Sequence, residues 1–148
     1  MFDHDLNDEE PAMTATITTR PLSDSSDSLL RFAMRTDATV CAGLGLLVAM
    51  AADPLSRLSG LSAESEWIAG AALAAYGVAL YVMAAAPFVR HIGVGVVVAN
   101  VVFAVIAIAV VVAGVLPLTD AGVAMMLAVV AATLCVAYVQ YLGVRRLA

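Results

Sequence analysis

Asn100 is the deepest strongly polar side chain in the apolar runs of this chain, nine positions past His91. A polar group inside a bilayer is costly, so each such residue is a candidate functional residue. Two interpretations stay open: Asn100 bonds to Tyr138 or to a backbone carbonyl of a neighbouring helix, or it lines a polar pocket open to the cytoplasm. The residues of the candidate pocket are Asn100, Tyr81, Tyr138, Gln140 and Asp37.

Simpler roles are also available for several of these residues. Asp37 and Arg35 are two positions apart and do not face each other on a helix, so we expect both to lie at headgroup depth rather than to carry protons. Tyr81 and Tyr138 lie near the ends of their apolar runs, where tyrosines form an interfacial belt.

Cysteine and histidine give no sign of a metal or haem site. Cys41 and Cys135 lie in separate apolar runs with no CxxC spacing, and we expect both to be buried, reduced and packed as small apolar residues. His91 stands alone beside Arg90, and His4 lies near the N-terminus, so a pair of axial haem ligands is not indicated. We expect no cofactor.

The amino-acid composition indicates the class of protein in which these residues lie. The chain has 148 residues, of which 63% are hydrophobic and 13% charged. Soluble domains have roughly 45–50% apolar and about 25% charged residues. Together with a mean hydropathy of +0.99, this predicts an integral membrane protein. No basic groove with interleaved aromatics is evident, so we do not expect nucleic-acid binding.

The chain divides into two predicted regions. Residues 1–27 hold seven of the twelve acids and two prolines, which predicts a disordered cytoplasmic tail. Residues 28–148 predict an all-α transmembrane domain, a bundle of four helices. The predicted spans cover about 36–52, 67–86, 92–116 and 121–142. Ser62 and Thr119 are predicted N-caps, and Leu55–Leu58 is predicted to form a short helix between the first two spans.

Arginine positions predict the orientation. Six of the seven arginines lie before the first span, between the second and third spans, or after the fourth span. Arg57, between the first and second spans, is the one arginine on the opposite side of the membrane. By the positive-inside rule, both termini are expected in the cytoplasm.

Several short stretches carry a family resemblance. Arg31–Ala38, Ala52–Ser56, Leu116–Thr119 and Gln140–Arg146, together with Asn100, resemble an uncharacterised family of small bacterial four-span membrane proteins. The resemblance covers roughly residues 29–147. It implies the four-span fold and a bacterial plasma membrane location, and it carries no activity.

Three functions are compatible with such a chain. The leading hypothesis is a non-catalytic accessory or structural subunit of a membrane complex, with the lipid bilayer and a membrane protein or a second copy as partners. The alternative is a small carrier or channel that uses the pocket around Asn100. A redox or lipid-modifying enzyme would need paired Cys, paired His or clustered carboxylates, and we predict no enzyme.

Overall fold

The computed structural model describes residues 22–147, with side chains from Ser28 onward, and in this part of the chain every regular element is a helix. The five helices are α1 (Leu22–Met50), α2 (Ala52–Ser59), α3 (Ala63–Met83), α4 (Val89–Ala113) and α5 (Asp120–Arg145). Four of them are long and apolar enough to cross a membrane: α3, α4, α5 and the Ser28–Met50 part of α1. The predicted four-span helical fold is confirmed.

The helices begin earlier than the predicted spans. Residues 1–21 of the predicted tail lie outside the described residues, and α1 begins at Leu22, six positions before the predicted start of the transmembrane domain. Acidic residue types favour the positive end of a helix dipole, which explains why polar turns precede the apolar part of a helix. α3 likewise includes Glu64 and Glu66 in its first turn.

Both ends of the bundle have a distinct composition. We call the end that carries the start of α1, the α3–α4 turn and the end of α5 the terminal end. The opposite end, with α2 and the α4–α5 connection, is the loop end. At the terminal end, Leu30, Met34 and Leu80 form a buried core with Val89 and Val96. Towards the loop end, Ala104, Ala107 and Val130 form a smaller core between α4 and α5.

α1 is the central helix because it packs on α3 along its length and also contacts α4 and α5. The α1–α3 interface is built from small residues. A Cβ added to Gly77 would lie 2.6 Å from the Ala38 carbonyl oxygen, and one added to Gly45 would lie 2.6 Å from the Gly70 carbonyl oxygen. The two backbones are therefore in direct contact, as small residues permit in membrane bundles.

Turn and cap residues close the loop end. The predicted caps are confirmed: the Ser62 side chain accepts from the Ser65 amide, and the Thr119 side chain accepts from the Gly122 amide. α2 ends at Gly60, whose φ of +87° is a left-handed conformation that suits glycine. The Thr119 amide also donates to the Ser59 carbonyl oxygen at 2.9 Å, so α2 is fastened to the start of α5.

Candidate functional site

A chain of polar side chains connects three helices in the terminal half of the bundle. Gln140 of α5 donates from Nε2 to Oδ2 of Asp37 on α1 at 2.8 Å. Asn100 of α4 donates from Nδ2 to Oε1 of Gln140 at 3.1 Å. Gln140 is the centre of this polar chain because its amide offers a donor and an acceptor at once.

All three members of the polar chain are buried. Asp37 is 7% exposed, Asn100 is 8% exposed and Gln140 is fully enclosed. Asp37 lies two positions after Arg35, or about 3 Å further along α1, and Asn100 lies eleven positions after Val89, or about 16 Å along α4. All three side chains belong to helices that are long and apolar enough to cross a membrane.

Asp37 and Arg35 face different directions, as their spacing predicts, and their headgroup depth stays a prediction. Two positions on a helix differ by about 200° in direction, so the two side chains diverge. Arg35 is exposed, with its guanidinium carbon 6.0 Å from the centre of the Tyr81 ring, whereas Asp37 points into the bundle.

The tyrosines predicted for the pocket do not join the polar chain. Tyr81 is 53% exposed and Tyr138 is 62% exposed, which suits an interfacial belt better than a pocket lining. The predicted bond from Asn100 to Tyr138 is replaced by the bond to Gln140. Of the five candidates, the structure brings together Asp37, Asn100 and Gln140, and a ligand-binding role for them stays a prediction.

Two features beside Asp37 were not predicted from the sequence. The Cys41 thiol donates to Oδ1 of Asp37 at 3.4 Å, and the spacing of four could have indicated this contact. On α3, Tyr76 packs against the terminal-end core, and its enclosed hydroxyl has no hydrogen-bond partner among the described residues. Cys135 is exposed, so the expectation of a buried residue is wrong at that position.

The chemistry open to this group is proton binding and hydrogen bonding. An ionised Asp37 accepts from both Gln140 and Cys41, while a protonated carboxyl keeps fewer acceptor sites and gains a donor. Within residues 22–147, no set of three or more His, Cys, Asp or Glu side chains is close enough to hold a metal ion.

Two further polar contacts fix the ends of the bundle. Arg31 donates from Nη1 to the carbonyl oxygens of Ala84 at 2.8 Å and Ala86 at 2.9 Å, which satisfies backbone groups after the last turn of α3. At the loop end, buried Ser59 donates from Oγ to the buried carboxyl group of Glu66. Both contacts depend on tertiary packing, so the local sequence gave no signal for them.

Comparison of the chain with protein families, with curated proteins and with solved structures finds no match. The resemblance to small bacterial four-span proteins therefore stays a prediction.

Proposed function

We propose that this protein is a non-catalytic multi-pass membrane protein that serves as an accessory or structural subunit of a membrane complex. The observation that carries the proposal is that the members of the polar chain bond to one another. Asp37, Gln140 and Asn100 bond to one another across α1, α4 and α5. Their hydrogen bonds hold the protein's own helices together, a role that interhelical polar bonds have in membrane bundles.

The outward faces of the spans support the same function. Only 17% of an 18-residue apolar stretch of α5 is buried inside the bundle, and 22% of the corresponding stretch of α4 is buried. Val105, Ile106 and Val112 are among the large apolar side chains exposed on α4. Such faces suit contact with lipid and with the helices of a partner subunit.

The experiment that tests this proposal is purification in a mild detergent at native expression level, followed by measurement of the mass of the particle and its composition. We expect a complex that contains a second protein in fixed stoichiometry. Gln140→Leu, which breaks the polar chain, is expected to reduce recovery of that complex, while Tyr138→Phe on the exposed face of the same helix is expected to leave it unchanged. Recovery of only monomers or homo-oligomers would contradict the proposal.

A small carrier or channel is the second candidate function, and the position of Asp37 favours it. Its carboxyl group is buried between membrane-spanning helices, next to the Cys41 thiol, and carboxyl groups in that setting serve as proton relays in transporters. Proton flux into liposomes that contain the purified protein, read with a pH-sensitive dye, distinguishes the two functions. The accessory role predicts equal flux for the wild-type protein and Asp37→Asn; flux that Asp37→Asn abolishes would make the carrier the better proposal.

We also propose a bacterial plasma membrane location with both termini in the cytoplasm. The arginine distribution supports this orientation: Arg57 belongs to α2 at the loop end, and Arg20 lies outside the described residues. The arginines of the terminal end are Arg31, Arg35, Arg90, Arg145 and Arg146. An excess of arginine favours the cytoplasmic side.

Labelling of intact cells tests the orientation. In a background without Cys41 and Cys135, an impermeant thiol reagent is expected to react with the Arg57→Cys protein and to spare the Arg90→Cys protein. The reverse pattern would overturn the assignment.

A further inference from the structure

A groove of about 390 Å³ runs along the outer side of the α1–α3 pair. Gly77 and Ala38, both buried, form its floor. Gly43 and Val82 are among the exposed residues that line it. A Cβ added to Gly43 would have no atom within 4 Å, so the groove is open at that position.

The positively charged side chain of Arg35 lies at the terminal end of this groove. Tyr81 lines the groove, and the Arg35 guanidinium carbon lies 6.0 Å from the centre of its ring. The Arg35 side chain is exposed and forms neither an ion pair nor a hydrogen bond with a described residue in 22–147. In the same turn of α1, the Thr39 hydroxyl donates a hydrogen bond to the Arg35 carbonyl oxygen at 2.8 Å.

The distance from Arg35 to the far end of the groove matches one leaflet of a bilayer. Leu46, the lining residue of α1 farthest from Arg35, lies eleven positions after it, or about 16 Å along the helix. Half of a bilayer's hydrocarbon core is about 15 Å thick. An apolar chain that starts at Arg35 would therefore end near the middle of the membrane.

We propose that this groove binds one anionic phospholipid, with an acyl chain along the floor of Ala38 and Gly77, past Gly43, and the phosphate group at Arg35. The charge at the groove's end selects a lipid with net negative charge, since cationic sites at the membrane surface attract such headgroups. Two copies that met through this groove across a two-fold axis along the membrane normal would instead place two Arg35 side chains at the same depth beside one interface, where their charges repel each other. The charge therefore favours a lipid over a second copy.

Native mass spectrometry tests the proposal after the purified protein is incubated with vesicles of equal parts phosphatidylglycerol and phosphatidylcholine. We expect one retained phosphatidylglycerol per chain. Arg35→Gln is expected to lower that retention about fivefold, while Arg90→Gln, which removes another exposed arginine of the terminal end, leaves it unchanged. Gly43→Leu fills the groove and is also expected to abolish retention.

Gly95→Leu is the matched control for Gly43→Leu, because its added side chain also meets open space but on α4. Equal retention of the two lipids, or equal losses for Arg35→Gln and Arg90→Gln, would overturn the proposal. So would a dimer that Gly43→Leu disrupts, since it would identify the occupant as a second copy. If Gly43→Leu does not fold, the two arginine variants decide the question by themselves.

Discussion

α1 uses two of its faces in different ways, and the contrast shows what holds a bundle together when lipid surrounds it. Its face towards α3 carries Ala38, Ala42 and Gly45, and the contacts there are between backbones. Its face towards α4 and α5 carries Asp37, which bonds to Gln140 across the interface. Because lipid tails are as apolar as leucine, close packing and hydrogen bonds replace the hydrophobic effect between membrane helices.

The two interfaces differ in their tolerance of change. Contact between backbones leaves no space for an added atom, and a backbone cannot rotate away as a side chain can. A hydrogen bond between side chains can be lost while the helices stay in place, and the freed groups can find other partners. We therefore expect the small-residue interface to dominate stability and the polar chain to contribute less.

Gly77→Leu is the change with the largest expected effect. Its Cβ would lie 2.6 Å from the Ala38 carbonyl oxygen, so α1 and α3 must separate. Overpacking costs about 1–3 kcal/mol, and a clash with backbone belongs at or above the top of that range. Thermal unfolding in detergent measures the loss, and Gly95→Leu, which meets open space on α4, is the control. Equal stability of the two variants would contradict a steric interface.

Gln140→Leu is expected to have the next largest effect. It removes both bonds of the central amide and leaves the Asp37 carboxyl and the Asn100 amide without their partner. A buried polar group without a partner costs about 1–3 kcal/mol. Chemical unfolding in mixed micelles measures the loss. Wild-type stability in this variant would show that the polar chain does not hold the helices together.

Asn100→Leu is expected to cost less than Gln140→Leu, because it removes the terminal member of the polar chain and leaves the Gln140–Asp37 bond intact. Interhelical bonds of this kind contribute about 0.6 kcal/mol, rarely more than ~1.7 kcal/mol. The same unfolding measurement on the single and double variants gives the coupling energy between residues 100 and 140. If the two losses simply add, the bond carries no stabilising energy.

Asn100→Cys, in a background that lacks Cys41 and Cys135, tests whether position 100 is packed or is reached by water. A packed position is expected to stay unreactive towards small thiol reagents in membranes, as Asn100 is 8% exposed. Rapid labelling would show that water reaches this depth and would favour the carrier.

Tyr138→Phe is expected to change stability least, within about 0.5 kcal/mol. Its side chain is mostly exposed on the helix that carries Gln140, two residues away. The unfolding midpoint measures the effect. A loss as large as that of Gln140→Leu would mean that the exposed face of α5 contributes to the same interface.

The sequence predicts the four spans and the caps at Ser62 and Thr119, because apolar length and capping are local properties. It also identifies Asp37, Asn100 and Gln140 as candidates from polarity alone. Which of them meet depends on how each helix is rotated about its axis, and that is set by its neighbours. Tyr138 was one of the two partners predicted for Asn100, and it lies two positions, or about 200° around α5, from Gln140, to which Asn100 bonds.

The same limit explains the residues that were missed. The bonds of Arg31 to Ala84 and Ala86 depend on where the α3–α4 turn lies, which no local pattern indicates. Gly70 and Gly77 are two of many small residues in this chain, and only the position of α1 shows that no side chain fits there. Local sequence patterns therefore did not predict the contacts between segments that are distant in the sequence.

The bond between Asp37 and Gln140 also has a consequence for synthesis of the chain, because its partners are 103 residues apart. A ribosome adds roughly 5–20 residues per second, so Gln140 is made about 5–20 s after Asp37. During that interval α1 and α3 are complete and can pair through their small residues, while the Asp37 carboxyl group awaits its α5 partner. The order of translation therefore assembles the steric interface first and the polar one last.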